Sequence, residues 1–186
     1  MFRQLTEEVL GATGGLSLVT WADVQALKGR ALATRRRRAR ILLHGSPDAL
    51  QHEMLIVMGQ GQYSPPHRND GAAKSYVVLD GALVLVQFDD DGAVCDHHLL
   101  EAGQTQRPFM ARLEHSVWHT CLFVTDLVVY IESTLGPHIG TQYARWAPAA
   151  GSEAAATYLA SLNRVAGVSE QTGSMVRSLP RATDSD

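Results

Sequence analysis

The chain has no excess of charge of either sign. Its 186 residues carry 16 Lys and Arg against 19 Asp and Glu, a net charge of -3. That balance removes the electrostatic basis for binding nucleic acid or an anionic membrane. Long apolar runs are missing too, and none approaches the roughly 20 residues that span a bilayer. The N-terminus lacks a charged segment followed by an apolar stretch, the mark of a secretory leader. A cytoplasmic location is therefore expected. Cysteine is scarce: Cys95 and Cys121 lack the C-x-x-C spacing of a metal or redox site. Both are expected as buried thiols in a reducing compartment. No internal repeat is evident, and the length suits one domain with a substantial core.

What is present is a β pattern with helical flanks. Residues 16–20 read as a short strand. Thr20 then starts a helix, with Asp23 at the capping-box position and Trp21, Val24, Leu27 and Ala31 at helical spacing through Thr34. Ile41–Leu43 and Met54–Met58 read as buried strands. From Ser75 to Ser133, short strands alternate with turns such as Asp80-Gly81, Asp91-Gly92 and Ala102-Gly103. That rhythm argues for a sandwich or barrel rather than a parallel α/β sheet. Ala155, Leu159, Leu162 and Ala166 form an amphipathic pattern closed by Gly167. The polar residues from about 168 onward read as a mobile tail. The organisation expected is a strand/helix arm over 1–36, a β domain over 37–148, and a helical extension with a flexible tail over 149–186. Arg35–Arg38 with Arg40 is the one local concentration of charge. It reads as a solvated face or as arginines paired with acids, with one or two turned toward a pocket.

Two histidine motifs concentrate the chemistry: Tyr63-Ser64-Pro65-Pro66-His67-Arg68-Asn69 and Trp118-His119-Thr120. Residues i and i+2 of a strand share a face, so His67 and Asn69 project together, and a later strand delivers His119 to the same space. Two neutral imidazoles are natural ligands for zinc, iron, nickel or manganese. A stable site needs a third protein ligand, and Asn69 offers only an amide oxygen. From spacing alone, each histidine taken singly reads first as a hydrogen-bonded pocket or core residue without metal. His115 shares strand parity with His119 and is a minor candidate for the third ligand.

The ordered set resembles the WbuC family of cupin-fold proteins, found among bacterial surface-polysaccharide gene sets. The resembling residues are Arg38 to His44, Tyr63 to Arg68, Val77-Val78-Leu79-Asp80-Gly81, Phe88 to Gly92, Trp118-His119-Thr120, Glu132, Gly136-Pro137 and Trp146-Ala147-Pro148. The resemblance implies an all-β cupin jelly-roll, here with an N-terminal helix and a C-terminal helical extension. It further implies an interior metal pocket at His67 and His119, a small-molecule ligand such as a sugar or sugar nucleotide, and a homodimer. The family pattern continues Pro-His-Arg-His and then a glutamate; this chain has Asn69 and Lys74 at those positions. A turn of Pro-Ala-Gly is replaced by Glu114-His115-Ser116. Three outcomes stay open for Lys74: it fills the place of a lost metal, it points outward and leaves a weak two-histidine site, or it is desolvated and acts as a base or amine nucleophile. The first is preferred. Glu132 matches a family acid and is a candidate proton acceptor. Arg38 and His44 are candidates to hold an anionic group at the pocket mouth, with structural pairing the equal alternative. Tyr63 is a candidate to offer a phenol but reads first as a packed aromatic with its hydroxyl satisfied. The function expected is binding, with or without transformation, of a small polar metabolite in polysaccharide-related metabolism. The alternative is a metal-free, non-catalytic ligand-binding or structural dimer module.

Overall fold

The computed structural model of the protein describes residues 2–69, 71–138 and 140–168. The chain enters through a small hairpin, β1 (Phe2–Gln4) and β2 (Val9–Ala12), followed by helix α1 (Trp21–Ala33). Ten strands follow: β3 (Arg38–Leu42), β4 (Gln51–Gly59), β5 (His67–Arg68), β6 (Lys74–Asp80), β7 (Ala82–Phe88), β8 (Val94–Glu101), β9 (Met110–Leu113), β10 (Trp118–Phe123), β11 (Leu127–Leu135) and β12 (Gln142–Tyr143). Helix α2 (Glu153–Val165) closes the described chain.

The strands form two facing sheets, one of seven in the order β1-β2-β3-β4-β11-β6-β9 and one of five in the order β12-β5-β10-β7-β8. Their crossing connections make this an all-β cupin jelly-roll. Every strand pair is antiparallel except β2 with β3. Alternation along the strands sorts side chains into three apolar layers. Between the sheets lie Ile56, Val78, Leu83, Leu85, Cys121, Phe123 and Tyr130. On the outer face of the large sheet, Val24, Leu27 and Ala31 of α1 cover Ala39, Ile41, Leu55, Val57 and Val129. On the outer face of the small sheet, Leu162 and Ala166 cover Val84, Val86, Leu122 and Trp118. The molecule is thus a sandwich with a helix behind each sheet. No helix among the described residues is long and apolar enough to cross a membrane.

Two expectations are corrected. Residues 16–20 form no strand, and Leu16 and Leu18 stand exposed. The edge beyond β3 is already filled by β2, and Thr20 is committed as the cap of α1. Its Oγ1 accepts from the Asp23 N–H at 3.3 Å, while Asp23 Oδ2 accepts from the Thr20 N–H at 2.8 Å. Cys121 is buried as expected, but Cys95 is exposed. It sits on the edge strand β8, which only β7 pairs. Of the tail expected from about 168 onward, Val168 is buried against the small sheet's outer layer, and the rest lies outside the described residues.

Candidate functional site

His67 and His119 stand directly opposite each other across β5 and β10, and opposed residues of an antiparallel pair share a face. Their ring centroids are 4.5 Å apart. Each ring is anchored by its own strand: Nδ1 lies 3.0 Å from the Pro65 carbonyl in His67 and 2.9 Å from the Val117 carbonyl in His119. A carbonyl accepts only, so each Nδ1 carries the proton and each Nε2 presents a lone pair. His119 Nε2 accepts from the Tyr76 hydroxyl at 3.1 Å. Burial is the main force that pulls His67 down to about 4 and His119 to about 3. The Lys74 charge adds to both, and His67 adds to the effect on His119. Both imidazoles are therefore neutral at physiological pH.

The large sheet supplies the opposite wall. Lys74, Tyr76 and Val78 alternate inward on β6, and Glu132 lies opposite Tyr76 and Met54 on β11. Lys74 Nζ and Glu132 Oε1 form an ion pair at 3.1 Å, with the two side chains only 7% and 15% exposed. Lys74 does not point outward, so that outcome is set aside. Asn69 is also buried, and its Oδ1 has no hydrogen-bond partner among the described residues.

This donor set does not fit a resident divalent metal. Two imidazoles face each other here, and the flanking positions hold Asn69 and Lys74, of which neither is a strong metal ligand. Glu132, whose charge is felt at His67, is engaged by an ammonium group that would repel a cation at short range. Among the described residues, no group of three His, Cys, Asp or Glu side chains is placed to hold a metal.

The remaining candidates are dispersed. Arg38 is held by Glu8, 2.9 Å from its Nη2, and Glu8 also binds Arg36. His44 stacks on His52 with centroids 4.0 Å apart and holds the Glu53 backbone through Nδ1. The Tyr63 hydroxyl donates to the Pro148 carbonyl at 2.9 Å. His115 lies in an exposed turn, 2.7 Å from the Ser116 hydroxyl. Two residues escaped notice in the sequence. Tyr76 shares strand parity with Lys74, a signal that could have found it. Arg40 was visible only as a member of the arginine run. The alternation Arg38-Ala39-Arg40-Ile41, with Ala39 and Ile41 under α1, puts both arginines on the inner face of β3.

Fold and site together define a cupin-type barrel with a polar interior built from two neutral imidazoles and a buried ion pair. A family model described as a domain of unknown function, DUF6016, matches residues 19–100, which includes His67 and Lys74 but not His119 or Glu132. No curated protein matches. Among solved structures, an oxalate oxidase is 14% identical with a TM-score of 0.46, covering 60% of this chain and 57% of its own. KdgF from Halomonas sp. is 14% identical with a TM-score of 0.42, covering 53% of this chain and 77% of its own. A double-stranded β-helix protein from Klebsiella pneumoniae is 17% identical with a TM-score of 0.44, covering 57% and 79%. This chain thus spans little more than half of the oxalate oxidase, and the likeness to all three is of fold alone.

Proposed function

We propose that the barrel interior binds a small polar metabolite, a sugar or sugar nucleotide, without a metal. The observation that carries this reading is the Lys74–Glu132 pair beside His67 and His119. An ammonium placed where the WbuC pattern has a carboxylate supplies N–H donors beyond the one that meets Glu132. The His67 Nε2 lone pair and the Asn69 oxygen, which has no partner among the described residues, supply acceptors. Donors and acceptors converging inside an apolar barrel suit the hydroxyls of a sugar. The resemblance to the WbuC family extends the proposal to surface-polysaccharide metabolism and to a homodimer.

Transformation of the ligand is a second reading, favoured by the Tyr76–His119 hydrogen bond. The bond fixes a phenol beside the imidazole pair; with His119 held down to about 3 and the Tyr76 hydroxyl pushed up by burial, the phenol keeps its proton and offers a ligand a neutral hydroxyl.

Elemental analysis of protein purified without tag or chelator, followed by thermal melts with sugars and sugar nucleotides, tests the proposal. The expected result is substoichiometric metal and a ligand-dependent rise in melting temperature that His67→Ala abolishes. Near-stoichiometric metal in the wild type, lost in both His67→Ala and His119→Ala, would overturn it.

A further inference from the structure

The inner face of β3 carries two arginines with different fates. Arg38 stands opposite Met58 and Arg40 opposite Ile56, and both partners belong to the core between the sheets. Arg38 is neutralised by Glu8. Lys74 is neutralised by Glu132. Among the described residues, no carboxylate lies within ion-pair distance of Arg40, and its Nε–H is buried with no acceptor. Three inward cations therefore face two carboxylates, and the uncompensated charge is Arg40. Its guanidinium is destabilised first by burial and next by Arg38, and Glu132 offsets this only in part. A buried donor on a permanent cation normally has a partner.

The geometry points to Arg40 as the anion-binding residue of the barrel, taking the carboxylate or phosphate of a polyhydroxylated metabolite. This rests on the reading that the interior holds a small polar metabolite, and it names the group such a ligand must carry. Guanidinium suits both anions because two parallel N–H groups meet two oxygens. Glu132 lies close enough to be felt at Arg40, and it contacts Lys74 in turn. The anion on Arg40 and the hydroxyls near Lys74 and the imidazoles would thus belong to one ligand. Arg38, the arginine that the sequence puts forward for this task, is already occupied by Glu8.

Calorimetric titration of the full chain with glucuronate, glucose 1-phosphate and glucose tests this. The wild type should bind at least one of the two anionic probes tenfold or more tighter than glucose. The probe that wins distinguishes a carboxylate site from a phosphate site. Arg40→Gln should remove that advantage and leave any glucose binding in place. Arg40→Lys should recover only part of it, because the charge returns without the fork. Circular dichroism melts of both variants establish that they fold. Retention of the full anionic preference by folded Arg40→Gln would overturn the assignment. So would equal binding of glucose and both anions by the wild type, a result that still leaves a sugar site if His67→Ala abolishes it. Binding of none of the three probes overturns this inference together with the reading beneath it.

Discussion

At the scale of single residues, the two histidines set a pH response. The ordinary imidazole value is 6.5, and the fold holds His67 near 4 and His119 near 3. Between about pH 6.5 and 4 the unfolded chain takes up protons that the folded chain refuses, so stability falls as pH falls through that window. By pH 5 the loss is on the order of 2 kcal/mol for each histidine. Urea melts at pH 5 and 7.5 should show it, and His67→Gln or His119→Gln should flatten the difference. An unchanged slope in both variants would mean that the imidazoles are not held neutral by burial. The same site can be pushed back toward metal. Asn69→His combined with Lys74→Glu would surround His67 and His119 with a third imidazole and a carboxylate. Without metal, the new carboxylate repels Glu132 and lowers stability. With zinc, the double variant should regain stability and keep about one ion per chain through gel filtration. A variant that melts identically with and without zinc would show that Glu132, rather than Lys74, decides the matter.

At the scale of elements, the hairpin joining β6 to β7 holds the inward row Lys74, Tyr76 and Val78 in register. Gly81 turns it at φ +80°, and a Cβ there would lie 2.3 Å from Thr125 Oγ1 and 2.7 Å from the Leu127 carbonyl oxygen. The same hydroxyl accepts from the Ala82 N–H. Gly81→Ala should therefore cost at least about 2 kcal/mol, from positive-φ strain and overpacking together. A chemical denaturation curve checks this. The turn was legible in the sequence because Asp-Gly between alternating runs is a local signal. So were α1, through its cap, and the convergence of His67 with His119, through motif order. The Lys74–Glu132 pair was not legible, because it depends on Thr134 pairing with Lys74 across 60 residues. Nor was the choice between Arg38 and Arg40, because Glu8 arrives by the parallel pairing of β2 with β3. Strand 16–20 failed because local β character cannot supply a free sheet edge.

At the scale of the whole molecule, each sheet is backed by a helix, and the site lies between the sheets. Trp118 faces outward into the α2 layer while its neighbour His119 faces inward, so packing behind the sheet steadies the ring in front of it. Leu162, 4% exposed, is the centre of that packing. Leu162→Ala should cost about 3 kcal/mol. Fluorescence of Trp118 and Trp146 and far-ultraviolet dichroism should still report one shared transition. Separate transitions would mean that α2 docks on a barrel already formed. The two thiols give this architecture an internal clock. Cys95 is open to solvent, whereas Cys121 is sealed between the sheets with its thiol pushed up to about 12 by burial. A reagent that alkylates thiolates will therefore mark Cys95 at once and wait for the barrel to open before reaching Cys121. With Cys95 replaced by serine, the time taken to mark Cys121 becomes a direct reading of how often the sandwich parts, and of how far a bound metabolite holds it shut.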